Sequence, residues 1–379
     1  MRVISHLRSR TAMLWMLLVA LILSGCGGQG QDAPMFRANP ARTGVFPSNG
    51  PTRLNELAWK FKTDGMVNSS PAVADGVVYV GSGDRLYALD ARTGKEKWTF
   101  QTNGLVNSSP TVVDRVVYVG VSRFGPGHLY ALDARTGKEK WTFQTNGLVN
   151  SSPTVVDGVV YVGVSRFGPG HLYALDAETG QEKWSFQTNG PVNSSPAVAD
   201  GVVYIGVGRF GPGYLSALDA RTGQEKWSFQ TDGPVNSSPA VAGGVVYVGS
   251  DDRRLYALDA ETGQEKWSFK TDGGVYSSPA VAGGMVYIGS GDGRLYAIDA
   301  ETGQEKWHFK TEGIVGSSPA VAGSMVYVGS EDGRLYALDA RTGQEKWSFK
   351  TGSPVLSSPA VAGGVVYFGD IEGYVYAVR

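Results

Sequence analysis

Short apolar runs and turn signals alternate along most of the chain, and residues 237–270 give the clearest unit. Ser237 to Ala242, marked by Pro239, reads as a short first strand, and Gly243-Gly244 as a turn. Val245-Val246-Tyr247-Val248-Gly249 is β-branched and aromatic, which predicts a second strand. Asp251 to Arg253 turns the chain into a third strand, Leu255-Tyr256-Ala257-Leu258. Asp259-Ala260-Glu261-Thr262-Gly263 is a further turn, with its glycine placed for positive φ, and Gln264 to Phe269 is the fourth strand. Nothing in residues 52–379 has helical periodicity of useful length.

The unit repeats. Tryptophan recurs at Trp59, Trp98, Trp141, Trp184, Trp227, Trp267, Trp307 and Trp347, in steps of 39 to 43 residues. Four short antiparallel strands per period of about 40 residues is one propeller blade. Ser-Ser-Pro opens eight units, at Ser69, Ser108, Ser151, Ser194, Ser237, Ser277, Ser317 and Ser357. The eighth unit stops at Arg379, after its third strand, and the missing outer strand is present as Leu57-Ala58-Trp59-Lys60-Phe61. The expectation is an all-β, eight-bladed propeller over residues 52–379. An N-terminal strand completes its C-terminal blade, and closure removes the open edges of a linear array.

The phrase Ala-Leu-Asp-Ala-Arg/Glu-Thr-Gly-Gln/Lys-Glu-Lys-Trp resembles the tryptophan-docking repeat of the pyrroloquinoline-quinone (PQQ) propeller superfamily. That family includes quinoprotein dehydrogenases and also non-enzymatic propellers, among them BamB-type lipoproteins of the outer-membrane β-barrel assembly machine. The resemblance implies that the eight Trp side chains wedge between adjacent blades as structural residues. A bound cofactor would need one asymmetric pocket, whereas these residues occur once per blade. In the quinoprotein enzymes the resemblance implies a catalytic carboxylate, a cation site and often a vicinal disulfide. No Cys pair and no lone inserted acidic set is present, so neither enzyme activity, PQQ nor a metal is expected. Asp292-Gly293 and Asp332-Gly333 read as hairpin turns rather than calcium loops. Gly289 to Gly293 opens no helix and is no phosphate loop.

The first residues change the picture of where the propeller sits. Arg2, Arg8 and Arg10 precede an apolar stretch, Thr11 to Leu23, too short to span a bilayer as a helix. It ends in Leu23-Ser24-Gly25-Cys26, which looks like a bacterial lipobox, and Cys26 is the one cysteine of the chain. The expectation is a lipoprotein signal peptide over 1–25, then a lipidated Cys26 and flexible tether over 26–51. An uncleaved anchor or an ordinary secretory signal is the alternative. Without Arg2, Arg8 and Arg10 the chain has 31 basic and 35 acidic side chains, which argues against a nucleic-acid partner. The implied location is the cell envelope, with the protein facing the periplasm or exterior, and a monomeric ring.

When copies are nearly identical, a site lies where they differ. Blades 2, 3 and 4 carry longer second hairpins: Arg123-Phe124-Gly125-Pro126-Gly127-His128, Arg166-Phe167-Gly168-Pro169-Gly170-His171 and Arg209-Phe210-Gly211-Pro212-Gly213-Tyr214. Arg beside aromatic residues is typical of interface anchors, so these loops are candidate partner-binding residues. Duplication of one blade with its loop explains them equally. Acidic connections collect on blades 5–7, at Asp232, Asp272 and Glu312, which gives the same face a basic-aromatic and an acidic side. Asn68, Asn107, Asn150, Asn193 and Asn236 precede Ser-Ser and read as channel-rim residues rather than glycosylation sites. The functional expectation is a lipid-anchored, non-enzymatic scaffold that binds an envelope protein. The alternatives are a PQQ-dependent oxidoreductase and a carbohydrate or cell-wall binding module.

Overall fold

A computed structural model describes residues 32–379 except 123–124, 167 and 209–210; nothing is stated of the Arg166 side chain. The signal peptide, Cys26, Arg123, Phe124, Phe167, Arg209 and Phe210 therefore lie outside the described residues. The described residues form eight sheets, each with the expected four antiparallel strands, and one of them gains a fifth, parallel strand at its inner edge. In blade 5 the strands are Ala240–Ala242, Val245–Ser250, Arg254–Asp259 and Glu265–Lys270. The first strand is shorter than the sequence suggests. Ser237 and Ser238 are buried before it begins, and Pro239 has no N–H to give to a ladder.

Those serines close the ring. The Ser70 N–H donates to Ser109 Oγ, and the same bond runs on through Ser152, Ser195, Ser238, Ser278, Ser318 and Ser358. The Ser358 N–H donates back to Ser70 Oγ at 2.9 Å. The last blade is mixed as expected: Leu57–Lys62 pairs antiparallel with Tyr374–Val378, with Trp59 opposite Ala377.

The second and third strands of each blade are buried on both faces, which accounts for their near-continuous apolar runs. The cores lie between blades. Tyr79, Leu86 and Ala88 of blade 1 pack with Val117, Val119 and Leu132 of blade 2. Outside that layer, each repeat Trp reaches the next blade. Trp267 Nε1 donates to Ala300 O at 3.1 Å, and Trp227 and Trp307 make the equivalent bond to Ala260 O and Ala340 O. Trp59, Trp98, Trp141 and Trp184 do the same to Ala91, Ala134, Ala177 and Ala220. Blade 8 has no such turn, so Trp347 Nε1 finds Pro51 O instead, at 2.9 Å.

Two faces follow from the turns. The Ala91 N–H donates to Gly76 O, which sets the Asp-Ala turn beside the first hairpin; this is the turn face. The Val106 N–H donates to Gly83 O, which sets the interblade connection beside the second hairpin; this is the loop face.

Candidate functional site

The central channel decides what the ring can accept. An innermost strand has one unpaired edge, and its buried N–H and C=O groups need partners. Residues 32–51, expected as part of a flexible tether, supply them. Ala33 exchanges two backbone bonds with Val73 of blade 1, and Pro34 O accepts the Val112 N–H of blade 2. Pro40 O, Ala41 O, Thr43 O and Gly44 O accept the N–H groups of Val198, Val241, Val281 and Val321, on blades 4 to 7. Val45–Phe46 then runs as a short strand parallel to Val321–Ala322. The Ser48 hydroxyl donates to Val361 O of blade 8.

Blade 3 is served by a side chain. Arg42 Nη2 donates to Ser152 O at 2.9 Å and Pro153 O at 3.1 Å, while Nε reaches Pro196 O of blade 4 at 2.9 Å. The guanidinium also lies 5.2 Å from the Phe36 ring. Arg37 donates to Pro279 O and Pro319 O, on blades 6 and 7. Both side chains are buried, and burial pushes each guanidinium down to about 9, so both stay charged at neutral pH. The segment enters and leaves on the turn face. Asp32 Oδ2 accepts the Asp75 N–H in the first hairpin of blade 1, and Pro51 O takes the Tyr327 hydroxyl as well as Trp347.

Little in the sequence warns of this. The bonds come mainly from backbone carbonyls, which leave no residue signature. The two arginines amid Gly, Pro and Asn were the available signal, since an uncommitted tether has no need of a buried guanidinium.

Of the residues expected to bind a partner, His128, His171 and Tyr214 are described on the loop face. His128 and His171 are half-buried and stack on Tyr130 and Tyr173 at 5.8 and 5.7 Å. Their Nδ1 atoms lie 3.3 and 3.2 Å from the Asn103 and Asn146 amides. Tyr214 packs partly against the core between blades 3 and 4. These three brace the longer hairpins more than they project from them. The short hairpins of blades 5–8 are braced differently: Asp252, Asp292, Asp332 and Asp370 accept the hydroxyls of Tyr256, Tyr296, Tyr336 and Tyr376. Burial pushes the Tyr296 hydroxyl up to about 12, so it stays protonated as the donor. Asp292 and Asp332 thus build turns, as their Asp-Gly pairs suggest.

At the channel mouth, Asn150 Oδ1 accepts the Ser122 hydroxyl at 2.7 Å. Asn193 Nδ2 donates to Asn236 Oδ1, and Asn236 in turn donates to Asp251. Desolvation raises the Asp251 carboxyl, with the Asn236 bond opposing it. Around this rim lie exposed apolar side chains that periodicity did not flag. Met66, Leu105, Tyr276, Ile314 and Leu356 sit on the connections of blades 1, 2, 6, 7 and 8, and Met66 is 57% and Leu105 54% exposed. Each occupies a point at which the copies differ, which was the signal for finding them. Among the described residues, no three His, Cys, Asp or Glu side chains gather as a metal site would require.

The family described as "Outer membrane protein assembly factor BamB" matches the chain over residues 53–166, 127–207, 211–314 and 308–379. No curated protein sequence matches it. Similar solved structures include BamB from Moraxella catarrhalis, with 20% identity, TM-score 0.71, 86% of this chain covered and 97% of that one. Quinohemoprotein alcohol dehydrogenase from Comamonas testosteroni has 20% identity, TM-score 0.78, and coverage of 92% and 80%. The computationally designed Ika8 protein has 18% identity, TM-score 0.75, and coverage of 86% and 100%. At these identities the structures share the fold.

Proposed function

The chain belongs to the family of the outer membrane protein assembly factor BamB, and from that premise we propose that it is a lipid-anchored, non-enzymatic propeller that binds a protein partner of the cell envelope through its loop face. The observation that carries this is the arc of exposed apolar side chains, Tyr276, Ile314, Leu356, Met66 and Leu105, on the loop-face connections of blades 6, 7, 8, 1 and 2. Large exposed apolar groups beside polar rim residues mark protein interaction sites. Support for a non-enzymatic role comes from the channel, where the chain's own residues 32–51 bond to the innermost segment of each of the eight blades. In sequence, the Arg-Phe insertions fall in the second hairpins of blades 2–4.

The test is cross-linking in the native membrane followed by mass spectrometry. Changing Met66, Leu105 and Tyr276 to Ser removes exposed groups, so stability moves within about 0.5 kcal/mol per site. Partner capture falls steeply, since anchor residues cost about 2 kcal/mol or more when truncated. A second variant, with Arg123, Phe124, Arg166, Phe167, Arg209 and Phe210 changed to Ala and Ser, separates a working surface from a duplicated loop. Undiminished capture by both variants sinks the scaffold reading. The oxidoreductase reading rests on the shared fold with quinohemoprotein alcohol dehydrogenase. Incubation with PQQ and calcium tests it: stoichiometric binding with dye-linked turnover reverses the proposal.

A further inference from the structure

We propose that the turn face of blades 1 and 2 is a docking surface for an anionic lipid bilayer, which fixes the propeller with its loop face turned away from the membrane. The inference rests on the lipid-anchored reading above and adds an orientation to it. Its first support is the path of the chain. Asp32 is already bonded to the first hairpin of blade 1, and Ala33 to the inner strand behind it. Only five residues lie between Cys26 and Asp32, a span of six Cα–Cα steps. A fully extended chain covers at most about 3.6 Å per residue, so the attachment point lies within about 22 Å of this hairpin. The loop face stands farther off by the length of a six-residue strand, about 20 Å.

The second support is independent and comes from the places where the copies differ. The Thr-Gly turns of blades 1 and 2 continue into Lys95 and Lys138, whereas the five other copies have Gln181, Gln224, Gln264, Gln304 and Gln344. Lys97 and Lys140 join them, with Arg92 and Arg135 ahead, and all six are exposed. Lys183, Lys266, Lys306 and Lys346, four of the five counterparts of Lys97 and Lys140, are held in ion pairs with Asp176, Asp259, Asp299 and Asp339. The carboxylates of this sector are Asp32, Asp75, Glu96, Asp114 and Glu139, with Asp90 and Asp133 occupied by Thr93 and Thr136, so its acids and bases balance.

The first hairpin of blade 2 sharpens the contrast. Arg115 adopts φ +62° where Gly76, Gly158, Gly201, Gly244, Gly284 and Gly364 occupy the matching turn at +71° to +78°. A left-handed backbone disfavours any residue with a Cβ, so an exposed arginine here works against the turn. A conformational outlier of this kind points to a function at the surface. Blades 3, 5 and 6 carry acids on the same face, Glu178, Glu261 and Glu301, in place of arginine. The turn face is therefore less acidic over blades 1 and 2 than over blades 3, 5 and 6. Anionic lipid attracts basic residues that lie near its surface and within a Debye length.

The experiment uses full-length lipidated protein in vesicles bearing an acceptor-labelled lipid. Cys26 is the one native cysteine and is blocked by lipid, so a single added thiol takes a donor dye. Glu139→Cys reports the turn face and Leu105→Cys the loop face of the same sector. Energy transfer is expected to be much greater from position 139. Equal or greater transfer from position 105 overturns the orientation. Lys95→Gln, Arg115→Gly and Lys138→Gln together install the residues that other blades carry, so the fold is retained. On phosphatidylglycerol vesicles this triple variant loses the salt-sensitive part of the signal, by on the order of fivefold per cation removed. On phosphatidylcholine it matches the parent. A triple variant identical to the parent on anionic vesicles, yet poorer in cross-linked protein, assigns the sector to a protein and overturns the lipid assignment. If labelled fatty acid fails to join Cys26, no protein reaches the vesicles and the anchored reading falls with it, a result distinct from the other two.

Discussion

Gly303 shows how narrowly each repeat residue is constrained. It lies at φ +71°, and a Cβ there would stand 2.7 Å from the Trp267 ring of the preceding blade. Gly303→Ala therefore meets two obstacles, a left-handed backbone and an indole that is itself bonded to Ala300 O. The expected loss is about 1–3 kcal/mol, read from denaturant unfolding against the parent. The carboxylates of the same turns supply a pH dependence. The Thr302 N–H, then Lys306 and the Thr302 hydroxyl, hold Asp299 down to about 2, and Thr179 with Lys183 does the same for Asp176. A carboxyl depressed on folding contributes stability that is present above its unfolded value of 3.8 and lost as pH falls toward its folded one. Melting temperature should hold from pH 7 to about 5 and decline between about pH 4 and 2. Asp299→Asn shallows that decline, and an unchanged slope would remove the turn acids as its source.

At the scale of elements, most strands were legible, because their periodicity and turn chemistry agree. Val245-Val246-Tyr247-Val248-Gly249, flanked by Gly-Gly and Asp, admits one assignment, and the strand found there is Val245–Ser250. The mixed last blade was legible for the same reason: a lone Trp strand at one end fits a missing one at the other. Residues 32–51 were not, because their order comes from tertiary hydrogen bonds rather than local propensity. Arg42 tests that account. Replacing it with Met removes a costly buried charge. It also strips donors from Ser152, Pro153, Pro196 and Phe36 carbonyls. Several orphaned buried carbonyls outweigh one relieved guanidinium, so Arg42→Met should cost about 2–4 kcal/mol in chemical denaturation. Equal stability of parent and variant would mean that the segment is held by its backbone bonds alone.

For the whole molecule, the repeat count told the fold, while the partner surface was only half visible. The Arg-Phe hairpins were conspicuous as insertions, and their His128 and His171 ends brace neighbouring Tyr rings. Tyr276 showed as a change at the inner-strand entry, whereas Met66 and Leu105 were hidden in connections whose length does not change. A residue inside a repeat reveals its exposure only once the ring is closed, since closure decides which connection faces the channel mouth.

Closure also makes residues 32–51 a gauge of blade number. The segment carries at least one hydrogen-bonding group for each blade, from Ala33 on blade 1 to Ser48 on blade 8. Blades 2 and 3 are near-copies over their full 43-residue period, the kind of tandem identity at which a gene can gain or lose a unit. Eight-step matching makes such a change visible to folding. Excision of residues 146–188 removes one whole period and leaves seven Ser-Ser-Pro units with correct local sequence. Yet the carbonyls of Pro40, Ala41, Thr43 and Gly44 would then meet a ring of different circumference. The shortened chain should melt well below the parent, or assemble through its unmatched edges into oligomers visible by size-exclusion chromatography. A seven-bladed monomer of parental stability would show that the gauge does not count.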